Sequence, residues 1–251
     1  MTKPGARSAR KSWSLALASV LALSVGGTAL AAGPQTAQPG PRNTGQDLIA
    51  GKSGWQYFIR GDSAPLLRGW SHPGLPPGWT VHDGVLSKQG PVDDLESTQK
   101  YRDFELELEW KIGKAGNSGI FYRATHEYDQ IYWTGPEYQL LDDANTEDGK
   151  SRLTAAGSVY AMYPAPKGVI RPYGHWNEAR IIVRGRHVEY FANGRRIVSY
   201  YLDSPDWKKR DAASKFKAYP GYGLQPVGRV GLQGNHPGSI EIRDMRLRVL
   251  P

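Results

Sequence analysis

The chain has 251 residues, with 32 Lys and Arg against 24 Asp and Glu, six His and no Cys. Without cysteine there is no disulfide, thiol nucleophile, thiolate metal site or lipid-bearing cysteine, so stability rests on the core alone. The formal charge of +8 is not gathered into the basic stripe that nucleic acid requires, and that partner class is excluded.

Lys3, Arg7, Arg10 and Lys11 precede a short apolar run, Trp13 to Val25, and the small-x-small triplet Ala29-Leu30-Ala31. This is the pattern of a cleaved secretory signal peptide over residues 1–31, too short to span a membrane. The alternative is an anchor that stays attached. The leader has no Arg-Arg pair, so twin-arginine export is not indicated. Cleavage leaves 220 residues, a charge of +4 and no membrane span, in the periplasm or outside the cell. Residues 32–46, rich in Pro, Gly, Gln and Thr, read as a flexible lead-in, and 47–251 as one domain.

A first strand is expected around Tyr57-Phe58-Ile59, then a long Pro- and Gly-rich loop over 61–78. Trp79 to Leu86 reads as a hairpin turning at Asp83-Gly84, and Asp93 to Ser97 as a short strand. Phe104-Glu105-Leu106-Glu107-Leu108-Glu109-Trp110 alternates strictly, which predicts a half-buried antiparallel strand with its glutamates on a solvated outer face. Gly116 to Gly119 reads as a tight turn, Ile120 to Arg123 and Glu137 to Asp142 as strands, and 143–153 as a polar loop. Strands are further expected over Ser158–Tyr163, Asn177–Val183, His187–Phe191 and Arg196–Tyr200, the last two joined at Asn193-Gly194. Ser204-Pro205-Asp206 starts a helix with a capping serine, a first-turn proline and an acid at the positive dipole end. It is expected to run to about Phe216, with Trp207 and Phe216 facing inward. Arg229–Gln233 and Ile240–Leu250 close the chain. Many short strands, Gly-rich turns and one short helix near 205–217 make an all-β, antiparallel jelly-roll sandwich.

No GxSxG, Walker A loop, HExxH or GxGxxG appears, so any chemistry comes from residues assembled in space. Asn117, Arg123, Glu137, Gln139 and Asp142 lie inside otherwise apolar, strand-like runs. Buried polar groups need partners or a ligand, since each left dry and unpaired costs roughly 1–3 kcal/mol. Eight Trp and fourteen Tyr suit both β-sheet packing and sugar stacking, which composition does not separate, and a sugar-handling site is the working expectation.

The chain resembles the 3-keto-disaccharide hydrolase domain family. The resemblance is carried by Gly116-Asn117-Ser118-Gly119-Ile120-Phe121-Tyr122-Arg123, Gly135-Pro136-Glu137-Tyr138-Gln139-Leu140-Leu141-Asp142, Ala156-Gly157-Ser158-x-Tyr160, Trp176-Asn177-Glu178, Ser214-Lys215-Phe216 and Leu232-Gln233, in this order. It implies a concanavalin/LamG-like jelly roll and cleavage of glycosides already oxidised to a ketone at C3 by a separate sugar oxidoreductase. Loss of the C2 proton, β-elimination of the C1 substituent and hydration would complete the reaction. On this reading Glu137 is the base or a metal ligand, Arg123 holds the enolate oxygen, and His236 is a ligand or general acid. Asn117, Gln139, Asp142, Tyr160 and Trp176 contact the sugar. One divalent metal ion is an open expectation, with Glu137 and His236 as its ligands. The plainer roles are a salt bridge from Arg123 to Glu137 or Asp142, a loop cap for Asp142 and a turn for Asn117. Three positions depart from the family pattern. No histidine follows the Glu137 strand in Ala144–Asp148, His175 stands where a glutamate precedes Trp-Asn, and Gly234-Asn235-His236 replaces Asp-His-Gly. The rival functions are a lectin-like binding module and a conventional concanavalin-like glycosidase with paired carboxylates.

Overall fold

A computed structural model describes residues 54–251. The leader over 1–31, the lead-in over 32–46 and the first residues of the expected domain lie outside the described residues. The first strands are β1 (Trp55–Tyr57), β2 (Leu67–Gly69), β3 (Thr80–His82), β4 (Val85–Lys88), β5 (Leu95–Ser97), β6 (Phe104–Ile112), β7 (Asn117–Ala124) and β8 (Glu137–Leu141). They are followed by β9 (Asn177–Arg184), β10 (His187–Ala192), β11 (Arg195–Tyr201), helix α1 (Pro205–Ala213), β12 (Arg229–Leu232) and β13 (Ile240–Val249).

All pairings are antiparallel, in two sheets. The larger runs β11-β10-β9-β6-β13-β4-β3, with β1 also on β13, and the smaller runs β2-β5-β12-β7-β8. Their inner faces share one core. Leu106, Leu108, Trp110, Ile181 and Ile242 come from the larger sheet, and Leu95, Ile120, Tyr138, Leu140 and Leu232 from the smaller. This is the expected sandwich, each strand burying alternate residues.

Two hairpin turns form as the sequence predicts. Asp83 and Gly84 have φ of 49° and 78°, and Asn193 and Gly194 of 48° and 77°. Two successive left-handed residues match the twist of paired strands, which is why Asx-Gly occupies them. The alternation of β6 also holds, but its outer face is more than solvated. Strand register sets Arg248, Arg246 and Arg243 opposite Glu105, Glu107 and Glu109, and each pair forms a salt bridge. Glu105 is buried beneath its arginines.

Four expectations need correction. Asn117 is the first residue of β7 rather than a turn residue, because the turn closes earlier, where the Gly116 N–H donates to the Gly113 carbonyl at 3.0 Å. Ser158–Tyr163 is not a strand. Ala161 takes φ of 59° and the Met162 and Tyr163 N–H groups fold back onto the Val159 carbonyl, leaving only isolated bridges of Val159 to Tyr138 and Tyr163. The stretch 61–78 contains β2 on the edge of the smaller sheet. The helix ends at Ala213, and a separate 3-10 turn, Lys215–Ala218, follows, capped by the Ser214 hydroxyl at the Phe216 N–H.

Trp207 of α1 stacks between Tyr200, at 5.6 Å, and Tyr222, at 5.7 Å. Phe216 stacks on Tyr222 at 4.0 Å. This aromatic column fixes the segment that carries Lys215. Among the described residues no helix is long and apolar enough to cross a membrane.

The Ser204 hydroxyl accepts from the Trp207 N–H at 3.1 Å. Ser204→Ala removes that cap and is expected to cost about 1 kcal/mol, read as a lower urea midpoint with an unchanged slope.

Candidate functional site

The site lies on the face of the smaller sheet turned away from the core. Residues paired across strands share a face, so one row crosses the sheet as Arg68, Glu96, Gly231, Phe121 and Glu137. The next row contains Gly119 paired with Gln139, and Gln233, whose N–H donates to the Gly119 carbonyl at 2.8 Å. Two glycines open this face. A Cβ on Gly119 would come within 2.1 Å of Glu137 Oε1, and one on Gly231 within 2.2 Å of Ile131 Cδ1. The Glu137 carboxyl therefore lies over Gly119, and the 3-10 turn Ile131–Trp133 lies over Gly231.

Glu137 is 5% exposed. Among the described residues no donor hydrogen-bonds its carboxyl and no cation pairs with it within 4.0 Å. Burial pushes its pKa up to about 8, opposed by the Lys215 charge and aided by Asp94 and Asp148. Lys215 reaches this space from its 3-10 turn, with Nζ 4.5 Å from the Tyr160 ring centroid and 5.7 Å from that of Tyr132. The residue is exposed, yet enough protein crowds the ammonium to lower its pKa, against the pull of Glu137 and Asp148. Tyr160 donates its hydroxyl to Asp148 at 3.3 and 3.4 Å, and its N–H donates to the Glu137 carbonyl at 3.1 Å.

Beside Glu137, the Oε1 of Gln139 and Gln233, the Oδ1 of Asn117 and the Ser158 hydroxyl are buried without hydrogen-bond partners. Unpartnered buried atoms also occur elsewhere, as at Tyr101 and Trp110, but here they gather around one buried carboxyl, where a polar ligand could satisfy them.

The loop after β12 is held by a split ion pair. The Asp94 carboxyl takes its N–H groups, from Gly234 at 2.7 Å and Asn235 at 3.1 Å. The Lys88 ammonium takes its carbonyls, of His236 at 2.7 Å and Gly238 at 3.1 Å, and that of Gly90 at 3.2 Å. Burial raises Asp94 to about 6 and lowers Lys88 to about 8. The loop carries His236, whose ring makes no hydrogen bond. Burial lowers its pKa, with Asp148, Lys215 and Lys88 the charges that act on it.

Of the residues singled out from sequence, Glu137, Gln139, Asn117, Tyr160 and His236 belong to this face or its rim. Arg123 does not. Between Phe121 and Ala124, β7 has one residue more than β12 opposite, and Arg123 occupies this bulge with φ of 52°. A bulge breaks the alternation, so the guanidinium points away from Glu137. It donates to the Gly185 carbonyl and sits 3.9 Å from Asp103. Asp142 organises the loop after β8, accepting from the Ala115 and Ala144 N–H groups and the Asn145 amide. Trp176 lies on the outer face of the larger sheet, covered by Lys111 at 4.9 Å and Arg243 at 4.1 Å.

Sequence reasoning missed Lys215, Asp148, Asp94 and Tyr132. Lys215 stands inside a quoted motif, between a capping serine and a buried phenylalanine, and that placement was its one available signal. Among the described residues, this face brings no three His, Cys, Asp or Glu ligands together around Glu137 and His236, the pair expected to hold a metal ion. Among the described residues the one group bringing three His, Asp or Glu ligand atoms within 4.8 Å of one another is the exposed set Asp62, His82 and Asp83, and the charge facing Glu137 is already an ammonium.

The sequence pattern of the 3-keto-alpha-glucoside-1,2-lyase-like domain matches residues 54–248. A 3-keto-disaccharide hydrolase of Bacteroides thetaiotaomicron is 33% identical over 215 residues, covering 73% of this chain and 74% of that protein. A solved structure of a candidate glycosyl hydrolase from Parabacteroides distasonis superposes with a TM-score of 0.73 at 30% identity, over 79% of this chain and 94% of that one. A second from the same organism gives 0.61 at 25%, over 78% and 100%. The chain belongs to the 3-keto-alpha-glucoside-1,2-lyase-like domain family.

Proposed function

We propose that this chain is an exported enzyme that cleaves the glycosidic bond of 3-keto-glycosides, with Glu137 as the base that removes the C2 proton. The observation that carries the reading is the Glu137 carboxyl, buried over Gly119 without a hydrogen-bond donor and facing the Lys215 ammonium. A base that abstracts a carbon-bound proton works best when its pKa lies near the working pH and no donor occupies its oxygens.

The steps follow from that geometry. Glu137 takes the C2 proton, and the electron pair moves to the C3 oxygen. Lys215 is the nearby positive charge for that enolate. Collapse of the enolate expels the C1 oxygen, and water added across C1 and C2, with the proton returned from Glu137, gives the free 3-keto sugar. The polar side chains of Gln139, Gln233 and Asn117 on this face bind sugar hydroxyls, and the Tyr160 ring borders the same space. The hydrolase of Bacteroides thetaiotaomicron named above is the relative whose substrate class agrees with this chemistry. A separate oxidoreductase that makes the C3 ketone is the implied functional partner.

Incubation with a 3-keto-disaccharide and its unoxidised parent, followed by NMR in D2O, is expected to show cleavage of the keto sugar alone and deuterium at C2. Binding of both sugars without cleavage would instead identify a lectin-like module. Because the base acts ionised, kcat/KM is expected to rise with pH and level off above about 8. Glu137→Gln is expected to lower kcat by about a thousandfold; turnover at the unsubstituted rate would remove Glu137 from the chemistry.

The same variant has a second expected effect. Glu137 binds its proton more tightly folded than unfolded, so its contribution to stability is complete below about 4.5 and is lost as pH rises through about 8. Glutamine carries no charge at any pH. The melting temperature of Glu137→Gln relative to the unsubstituted protein is therefore expected to increase between pH 5 and pH 9, followed by calorimetry.

A further inference from the structure

The elimination needs a proton for the departing C1 oxygen, and the steps above assign none; burial lowers the pKa of His236, the acid expected from sequence, and so favours its neutral ring. Two tyrosines lie under the Lys215 ammonium. Tyr160 has its hydroxyl committed to Asp148. Tyr132 is half-buried and, among the described residues, its hydroxyl has no hydrogen-bond partner. Its ring is held edge-on by Trp133 at 4.4 Å, which stacks on Tyr219 at 3.8 Å. Ile131, one residue before, is seated over Gly231 in the row that ends at Glu137. That seat sets Tyr132 at the rim of the same face, where Asp94 and Glu137 both act on its hydroxyl.

We propose that Tyr132 is a further catalytic residue of this site, the proton donor to the leaving C1 oxygen and, as phenolate, the acceptor of a proton from the hydrating water. The inference rests on the elimination reading above. In the forward step Glu137 holds the C2 proton, the C1–O bond breaks with its electron pair on oxygen, and that oxygen takes the phenolic proton. In the return step water adds at C1 and gives its proton to the phenolate, while Glu137 returns its own to C2. Both side chains end as they began, and the net change is one glycosidic bond and one water consumed. Three features suit Tyr132 to both halves. Its proton stays in place at neutral pH, because burial and the nearby carboxylates push its pKa up to about 12. The Lys215 charge above its ring favours the phenolate when it forms. Its hydroxyl has no competing acceptor.

The test compares the unsubstituted chain with Tyr132→Phe on two substrates, a 3-keto-disaccharide, whose sugar alkoxide must be protonated to leave, and 3-keto p-nitrophenyl glucoside, whose phenolate leaves unaided. Tyr132→Phe is expected to lose about a hundredfold in kcat on the disaccharide, to stay within a few-fold on the p-nitrophenyl glycoside, and to keep deuterium exchange at C2. Retained exchange also shows that the variant folds. Equal losses on the two substrates, or no loss on the disaccharide, would overturn the assignment to Tyr132 and leave the elimination reading standing. Neither exchange nor cleavage in the unsubstituted chain would overturn both.

Discussion

A carboxyl buried without a hydrogen-bond donor is the constraint on which this site depends. Burying a polar group without a partner costs on the order of 1–3 kcal/mol, so the rest of the face must hold it there. Gly119 leaves the space the carboxyl occupies. The backbone on either side is committed to β7 and to the Tyr160 N–H. Beneath lies the shared core, with Tyr138 and Leu140, the neighbours of Glu137 and Gln139 along β8, pointing into it. The strand can carry polar groups on one face because its other face is so thoroughly apolar.

The charges around Glu137 are spaced rather than paired. Had Lys215 approached within salt-bridge distance, the carboxyl would be held ionised and its oxygens occupied. At the observed separation the ammonium moderates the burial penalty without removing it. The Asp94–Lys88 arrangement uses charge differently. There each ion is satisfied by backbone groups, carboxylate with N–H and ammonium with C=O, most of them from the loop after β12. Buried ions satisfied in this way specify geometry more than they add stability. The geometry specified is that of the segment bearing His236, and Gly234 is part of it, since a Cβ there would meet the Asp93 carbonyl at 2.4 Å.

What was legible in the sequence is what depends on local periodicity and local chemistry. The alternation of β6, the two Asx-Gly turns and the Ser204 cap each state their structure within a few residues. Glu137 and Gln139 were legible because two polar residues at a spacing of two interrupt an apolar strand. Arg123 looked equivalent, and the bulge that turns it away arises from its pairing with β12, more than a hundred residues on. Tyr132 and Asp148 lie in single 3-10 turns and Asp94 just before a short strand, all too brief for a period to say which way a side chain faces. Trp176 shows the converse. Its chemistry suited sugar stacking, but its strand neighbour Asn177 belongs to the larger sheet, and arginine and lysine cover its ring.

The two sheets also divide the carboxylates into two chemical classes. Glu105, Glu107 and Glu109 imitate the paired carboxylates of a conventional concanavalin-like glycosidase, which needs one acid and one base with free oxygens. Each instead faces an arginine across the β6–β13 ladder, and opposite charges directly across strands stabilise the sheet. Those glutamates are structural. Glu137, on the smaller sheet, has no arginine opposite it. Its cross-strand neighbour is Phe121, and the bulge at Arg123 removes the guanidinium that regular alternation would have set beside it. One extra residue in β7 thus keeps the Glu137 carboxyl out of a salt bridge and free for proton transfer.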